Sequence, residues 1–216
     1  MGGIDLESII LILPAIIIGL TFHEYAHAKV AHILGDDTAF LEGRVSLNPL
    51  KHIDWFGLIF IIIAHFGWAK PVHFNPEKLK NPRRDEKLIA IAGPIANVIM
   101  AILFALILKL WTSFEINPDN PMIKYAFEIN MYCIFLNYGL FVFNMIPIPP
   151  LDGSHLILKS INISKEMEAN IIKYGAIGLF AIIIIDSQTH LNILPIGKAI
   201  QFLTYQTLHI LQVGGY

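Results

Sequence analysis

The chain has 216 residues, of which 55% are apolar and only 15% are charged, against roughly 25% charged in ordinary soluble domains. Together with a mean hydropathy of +0.61, this composition excludes an ordinary soluble protein and indicates a polytopic membrane protein. The net charge of −2 provides no basic face for nucleic acid, so we expect no nucleic-acid partner. The single cysteine, Cys133, excludes a disulfide framework and a thiolate metal cluster, so any metal must use His and carboxylate ligands.

Five apolar windows are long enough to cross a bilayer, because about 20 residues at about 1.5 Å each cover a hydrocarbon core of roughly 30 Å. These windows are residues 8–34, 88–111, 122–147, 170–186 and 191–213. The sequence therefore predicts an all-α polytopic membrane protein with about five transmembrane helices. No repeat or low-complexity tract divides the chain, so we expect one membrane-embedded domain over residues 1–216.

A sixth apolar stretch, residues 56–68, has only 13 residues and contains Gly57 and Gly67. It is too short to cross a bilayer as a helix, and we predict a re-entrant or interfacial element. Its flanks, residues 43–49 and 67–76, carry β-branched and aromatic residues between turn formers. This pattern predicts short membrane-dipping strands.

Basic residues indicate the topology, because Lys and Arg accumulate in cytoplasmic loops. If residues 56–68 do not cross, eight basic residues lie in residues 35–87 and three lie on the same side in residues 148–173. The opposite side holds only Lys109 and Lys124. We therefore expect the N-terminus outside and the C-terminus in the cytoplasm.

The first window contains His23, Glu24 and His27, three ionisable residues at membrane depth, where such residues usually mark function. The histidines lie about one helical turn apart, so both imidazoles project from one face and can bind one zinc ion. Glu24 is turned by about 100° from His23, so it can deprotonate a water at the metal without being a ligand. The simpler interpretation is that both histidines are structural core residues, but this interpretation does not explain Glu24 in an apolar span.

A catalytic zinc site normally has three protein ligands and one open position, so a third ligand must come from elsewhere. Residues 144–155 contain three prolines that break the helix, followed by Asp152 and Gly153. Alone, this segment is typical of an exposed turn. Beside the His-Glu motif, Asp152 is the best third ligand, and the competing aspartates look like exposed loop residues. The competitors are Asp36, Asp37 and Asp54.

Three motifs in this order resemble those of the site-2 protease family of intramembrane zinc metalloproteases. The family's His-Glu-x-x-His is matched by residues 23–27, and its Asn-x-x-Pro-x-Pro-x-x-Asp-Gly by residues 144–153. Its Gly-Pro-x-x-Asn is matched by Gly93, Pro94 and Asn97. The resemblance covers nearly the whole chain. With the first motif in the first apolar window and no loop large enough for the PDZ domain of many relatives, we expect a short form without a preceding span.

The resemblance implies one Zn²⁺ per chain, with His23, His27 and Asp152 as metal ligands. It implies that Glu24 is the catalytic acid and base, and that Asn144 orients substrate or stabilises the oxyanion. The substrates would be transmembrane proteins or peptides cleaved within the lipid bilayer. The protein would be a multi-pass zinc metalloprotease domain of a prokaryotic cytoplasmic membrane, with its active site toward the cytoplasm. Residues 67–76 would correspond to strands that bind an unwound substrate segment.

Some assignments stay open at this stage. A membrane zinc carrier or a non-catalytic zinc-binding membrane protein is the alternative to the protease, because His and Asp in spans also serve metal transport. His155 is either a hydrogen-bonding partner of the metal site or a surface residue. Asn97, with the Gly-Pro pair before it, can reflect no more than a kink and close helix packing.

Overall fold

The computed structural model describes residues 6–64, 67–114, 120–189 and 193–213. These residues form eight α-helices, and two 3-10 turns lie at Pro49–Lys51 and Pro76–Lys78. The helices are α1 (Leu6–Ile33), α2 (Thr38–Leu41), α3 (Trp55–Ala64), α4 (Pro82–Ser113), α5 (Pro121–Asn144), α6 (Asp152–Leu158), α7 (Lys165–Thr189) and α8 (Ile196–Ile210). The mostly helical fold is as predicted.

Proline sets where the long helices α4 and α5 begin. Each starts with a proline, whose missing N–H has no helical partner at that position in any case. The side chain of Asn120 also caps α5 by accepting a hydrogen bond from the backbone N–H of Met122. These local signals place both helix starts just outside the long apolar runs.

Four of the described helices are long and apolar enough to cross a membrane: Glu7–Ile33, Pro82–Ser113, Pro121–Asn144 and Lys165–Asp186. The predicted count of five is not confirmed. In the described part of the window, residues 193–213, the helix runs from Ile196 to Ile210, because it begins after Pro195. Fifteen residues rise about 22 Å, less than the roughly 30 Å of a hydrocarbon core.

Helices α1, α4 and α5 pack against one another, and α8 packs on α5. A buried apolar cluster joins α4, α5 and α8, and it includes Ala101, Ala105, Ile134 and Leu208. The alanines let the helix backbones approach closely, which is typical of helix contacts in membranes. The mutually packed helices α1, α4 and α5 are the three core helices, and the functional residues described below lie on or beside them.

Helix α7 lies at the edge of the bundle. Only 6% of its apolar window is buried inside the structure, and Tyr174 and Ile177 are among its exposed apolar side chains. A salt-bridge pair connects its start to the rest of the bundle, because Lys159 Nζ lies 2.8 Å from Glu86 of α4 and 2.7 Å from Glu168 of α7. The exposed apolar surface of α7 is suited to lipid.

The predicted partial element is helical as α3, over Trp55–Ala64. Ten residues rise about 15 Å, too little to cross a bilayer. Residues 65–66 of the predicted stretch lie outside the described residues. Gly57 of α3 allows close approach, since a side chain there would collide with the backbone carbonyl of Trp68.

The predicted strands are not confirmed. No strand occurs in the part of the chain that the structure describes. Residues 67–76 form one isolated antiparallel bridge there, between Ala69 and Ile53, and Ile53 lies outside residues 43–49. One further backbone hydrogen bond joins Lys70 N–H to His52 O. β-branched and aromatic residues between turn formers give an extended segment here, but a ladder also needs a paired neighbour.

Candidate metal centre

His23 and His27 of α1 lie on one face of the helix, as their spacing predicts. Their Nε2 atoms are 3.0 Å apart, and the two residues are only 5% and 8% exposed. Both rings therefore point into the interior of the bundle and toward the same place.

Asp152 brings a carboxylate to the same place from the first turn of α6. Its Oδ2 lies 3.2 Å from His23 Nε2 and 3.3 Å from His27 Nε2. The next residue, Gly153, permits this approach, because a Cβ there would lie 2.5 Å from the backbone oxygen of Met145.

The three side chains fit a zinc ion. Tetrahedral zinc with bonds of about 2.0 Å has ligand atoms about 3.3 Å apart, close to the 3.0–3.3 Å measured here. Asp152 Oδ2 is buried and has no hydrogen-bond partner among the described residues, as expected for an atom whose partner is a metal. Two imidazoles and one carboxylate leave a fourth position for water or substrate.

Gly93 of α4 leaves room beside the histidines. A Cβ at this position would lie 2.6 Å from His23 Cε1 and 2.7 Å from His23 Nε2, and closer still to His27 Nε2. Real Cβ atoms essentially never come this close to another heavy atom. The Gly-Pro motif therefore supplies a gap in the helix surface against which both ligand rings pack.

Hydrogen bonds fix the orientation of both rings. His23 Nδ1 lies 2.7 Å from Asn97 Oδ1, and His27 Nδ1 lies 2.7 Å from the backbone oxygen of Ile89. Both partners are acceptors, so each Nδ1 carries the proton and each Nε2 presents a lone pair. Such outer hydrogen bonds are characteristic of metal-binding histidines.

Glu24 is not one of the three candidate metal ligands, which are His23, His27 and Asp152. It is 8% exposed, and its Oε2 accepts a hydrogen bond of 3.1 Å from Val72 N–H. Arg44 Nη2 lies 4.0 Å from the same oxygen. The carboxylate is thus next to the ligand His23 in sequence and held by two groups from the 43–76 region.

Arg44 also orders the segments around Glu24. Its guanidinium donates hydrogen bonds to the backbone oxygens of Lys51 and Lys70, and its side chain is almost completely buried. The Lys70 contact places the adjoining Val72 N–H against Glu24. Arg44 therefore connects the 3-10 turn after residue 48 with the extended segment that covers Glu24.

The remaining predicted residues have other surroundings. Asn144 is the last residue of α5, and its Nδ2 donates to Leu140 O of the same helix at 3.0 Å. Its proposed role toward substrate stays a prediction. His155 is half-buried, and burial lowers its pKa.

The three competing aspartates have structural partners. Asp54 accepts hydrogen bonds at the start of α3, and Asp37 binds His32 at 2.6 Å. The expectation that Asp36 is exposed is wrong. It is fully buried because it accepts hydrogen bonds from Thr38 and from the backbone N–H of Asn75.

Sequence reasoning missed Asn137, Arg44 and Val72. A signal for Asn137 existed, because Asn130, Asn137 and Asn144 recur every seven residues along α5, and polar residues repeated on one face of an apolar helix indicate buried contacts. No comparable signal marks Arg44 or Val72. Their roles depend on how the loop folds back onto α1.

Curated proteins similar to this chain have related names. It is 42% identical over 142 residues to "Putative zinc metalloprotease YwhC" of Bacillus subtilis, an alignment covering 66% of this chain and 65% of that protein. It is 31% identical over 150 residues to "Putative zinc metalloprotease Rip2" of Mycolicibacterium smegmatis, covering 67% and 54%. A similarly named protein of Methanocaldococcus jannaschii is 30% identical over 142 residues, covering 64% of each.

The matched region therefore spans less than two thirds of each of these relatives. No protein-family profile and no solved structure matches the chain. The names of the relatives and the His23, His27 and Asp152 cluster together confirm the expectation of zinc.

Proposed function

We propose that this chain, which belongs to the site-2 protease family of zinc metalloproteases, hydrolyses a peptide bond in or beside a transmembrane segment of another membrane protein. The observation that carries the proposal is the convergence of His23, His27 and Asp152 on one point within a bundle of apolar helices. A soluble substrate would not reach a site at this depth, whereas a segment inside the membrane would.

His23, His27 and Asp152 would hold the zinc. When bound there, zinc would lower the pKa of a water molecule to about 7 and polarise the carbonyl of the scissile bond. The chain's own contribution is a fixed set of three donors, with the fourth position left for the reacting groups.

Glu24 is the general base in this proposal. It accepts a proton from the attacking water while the water oxygen bonds to the carbonyl carbon. It then gives that proton to the leaving amine nitrogen as the C–N bond breaks. The hydrogen bond from Val72 N–H and the nearby Arg44 hold the carboxylate in one orientation, and burial keeps bulk water away.

The extended segment around residues 67–75 is the proposed binding place for substrate backbone. Among the described residues, its backbone pairs with the rest of the chain through the contacts of Ala69, Lys70, Val72 and Asn75, and its other backbone groups have no such partner. An unwound substrate segment can add to such a free edge by main-chain hydrogen bonds. The edge also adjoins Glu24, so added substrate would lie beside the base.

The basic-residue distribution supports a cytoplasmic position for the site. His27 and Asp152 lie near the ends of α1 and α5 that lead into residues 35–87 and 148–173, the two loops rich in Lys and Arg. A substrate cut at this level would release its product toward the cytoplasm.

Substitution of Glu24 by Gln separates a protease from a zinc carrier. Gln keeps the size and polarity but cannot take a proton, so we expect zinc to remain bound while cleavage falls by about 10²- to 10⁴-fold. Wild-type and variant proteins would be reconstituted with a panel of single-span membrane proteins, and zinc would be determined on the same samples. Equal cleavage by both proteins would exclude Glu24 as the base. Zinc transport without any cleavage by the wild type would favour the carrier.

A further inference from the structure

A chain of buried amide groups leads from His23 of α1 through α4 to α5. His23 Nδ1 bonds Asn97 Oδ1 at 2.7 Å, and Asn97 Nδ2 donates to Asn137 Oδ1 at 2.9 Å. Asn137 Nδ2 in turn donates to the backbone oxygen of Cys133 at 2.8 Å. Both asparagines are completely buried. This chain of hydrogen bonds crosses α1, α4 and α5, the three core helices.

The direction of each hydrogen bond is determined by the backbone at its ends. Cys133 O can only accept, so the amide nitrogen of Asn137 must face it and the amide oxygen must face Asn97. Gly19 O also accepts from Asn97 Nδ2, at 3.1 Å. Asn97 therefore presents its oxygen to His23, which must donate from Nδ1.

We propose that Asn97 and Asn137 are positioning residues that hold His23 in the tautomer with a free Nε2 lone pair for the metal. The inference deepens the proposed function, because it rests on the zinc site of His23, His27 and Asp152. Asn97 acts directly on the ligand, and Asn137 acts on Asn97. Neither residue is one of the three candidate metal ligands.

A purely structural role would give a different result. Buried amides between membrane helices can contribute only to helix association. In that case their removal would destabilise the bundle with or without metal. A positioning role instead predicts that the free energy of zinc binding falls by more than the free energy of unfolding of the metal-free protein.

The chain offers a matched control. Asn130 lies on α5 seven residues before Asn137, is also buried, and belongs to none of the hydrogen bonds that lead to His23. Asn130→Leu removes the same group from the same helix. We expect it to change the stability of the metal-free protein and to leave zinc affinity within about twofold of the wild type.

The experiment measures zinc dissociation constants by competition with a chelator for the whole 216-residue chain in detergent. Asn97→Leu should weaken zinc binding by about 10- to 100-fold, as expected for loss of a ligand's hydrogen-bond partner. Asn137→Leu should weaken it less, because Gly19 O still orients Asn97. Asn137→Asp should restore binding toward the wild type, because a protonated carboxyl group at that position has one donor and one acceptor like the amide.

Visible absorption of cobalt-substituted protein supplies a second readout, because it reports the geometry of the ligands. We expect the spectrum to change in Asn97→Leu and to stay unchanged in Asn130→Leu. His23→Ala serves as the reference for loss of a ligand. If the wild type binds no zinc, or His23→Ala binds it equally well, the zinc site itself is wrong. If His23→Ala loses zinc while both Asn97→Leu and Asn137→Leu keep wild-type affinity, only the positioning role is overturned.

Discussion

A side chain at position 93 should expel the metal, because Gly93 faces both ligand histidines. In Gly93→Ala the new Cβ would lie 2.6 Å from His23 Cε1, whereas ordinary van der Waals contact begins at 3.4 Å. The His23 ring must therefore move by about 0.8 Å, and zinc–ligand distances tolerate only about 0.2 Å. We expect zinc affinity to fall by at least about 100-fold, since a displaced ligand costs more than a lost outer hydrogen bond.

Zinc dissociation constants of purified Gly93→Ala and wild-type protein test this prediction, with two matched controls. Gly178→Ala lies on α7, where a Cβ meets nothing within 4 Å, so it should change nothing. Gly139→Ala lies on α5, where the new Cβ meets the end of the Ile200 side chain at 3.4 Å, so it should cost little stability and keep zinc. Wild-type zinc affinity in Gly93→Ala would refute the placement of His23 and His27 around the metal.

Three further predictions concern the surroundings of the site. Arg44→Ala should keep zinc but reduce cleavage by up to about 100-fold, because the segment beside Glu24 loses its hydrogen bonds to Arg44. Loss of zinc in this variant would contradict a role of Arg44 in orienting Glu24 and not the metal ligands. Burial raises the pKa of Asp36, but hydrogen bonds from Thr38 and Asn75 outweigh this effect and lower that pKa. The ionised Asp36 carboxylate therefore stabilises the fold above about pH 4, and this stabilisation is lost as the pH falls through the lowered pKa. Asp36→Asn should therefore be less stable than wild type by about 1–3 kcal/mol at pH 7, and thermal unfolding should show this difference narrowing in acid; a constant difference would contradict it. Reporter fusions after Lys80 and Lys159 should both report the cytoplasm, and a fusion after Lys80 that reports the outside would make residues 56–68 a true span.

The metal ligands could be predicted from sequence because their spacing is local. His23 and His27 are one helical turn apart, and Asp152 follows a run of prolines that ends a span. Each motif limits the geometry near itself. No local pattern joins the two motifs, since Asp152 lies 125 positions after His27. Their meeting was expected from the need for a third zinc ligand and from the family resemblance.

The amide chain and the covering of Glu24 could not be predicted in the same way. Asn97 and Asn137 meet only because α4 and α5 pack at one particular rotation, and hydropathy patterns do not determine rotation. Arg44 looked like one more basic loop residue, although the loop folds back and buries it beside Glu24.

The last helix is shorter than its apolar window predicted, for a different reason. Hydropathy continues through residues 191–213, but Pro195 has no N–H and the helix begins only after it. The prediction of strands at residues 43–49 and 67–76 was not confirmed, because composition favours an extended backbone without supplying a partner strand.

The position of the cut in a substrate tests the central claim most directly. Purified protein would be reconstituted in lipid vesicles with a single-span substrate, and the product ends would be identified by mass spectrometry. We predict a cut in or beside the transmembrane segment, made by the wild type and absent with Glu24→Gln and with Asp152→Ala. A cut confined to a water-exposed loop, or equal cutting by the wild type and Glu24→Gln, would contradict intramembrane proteolysis at this site.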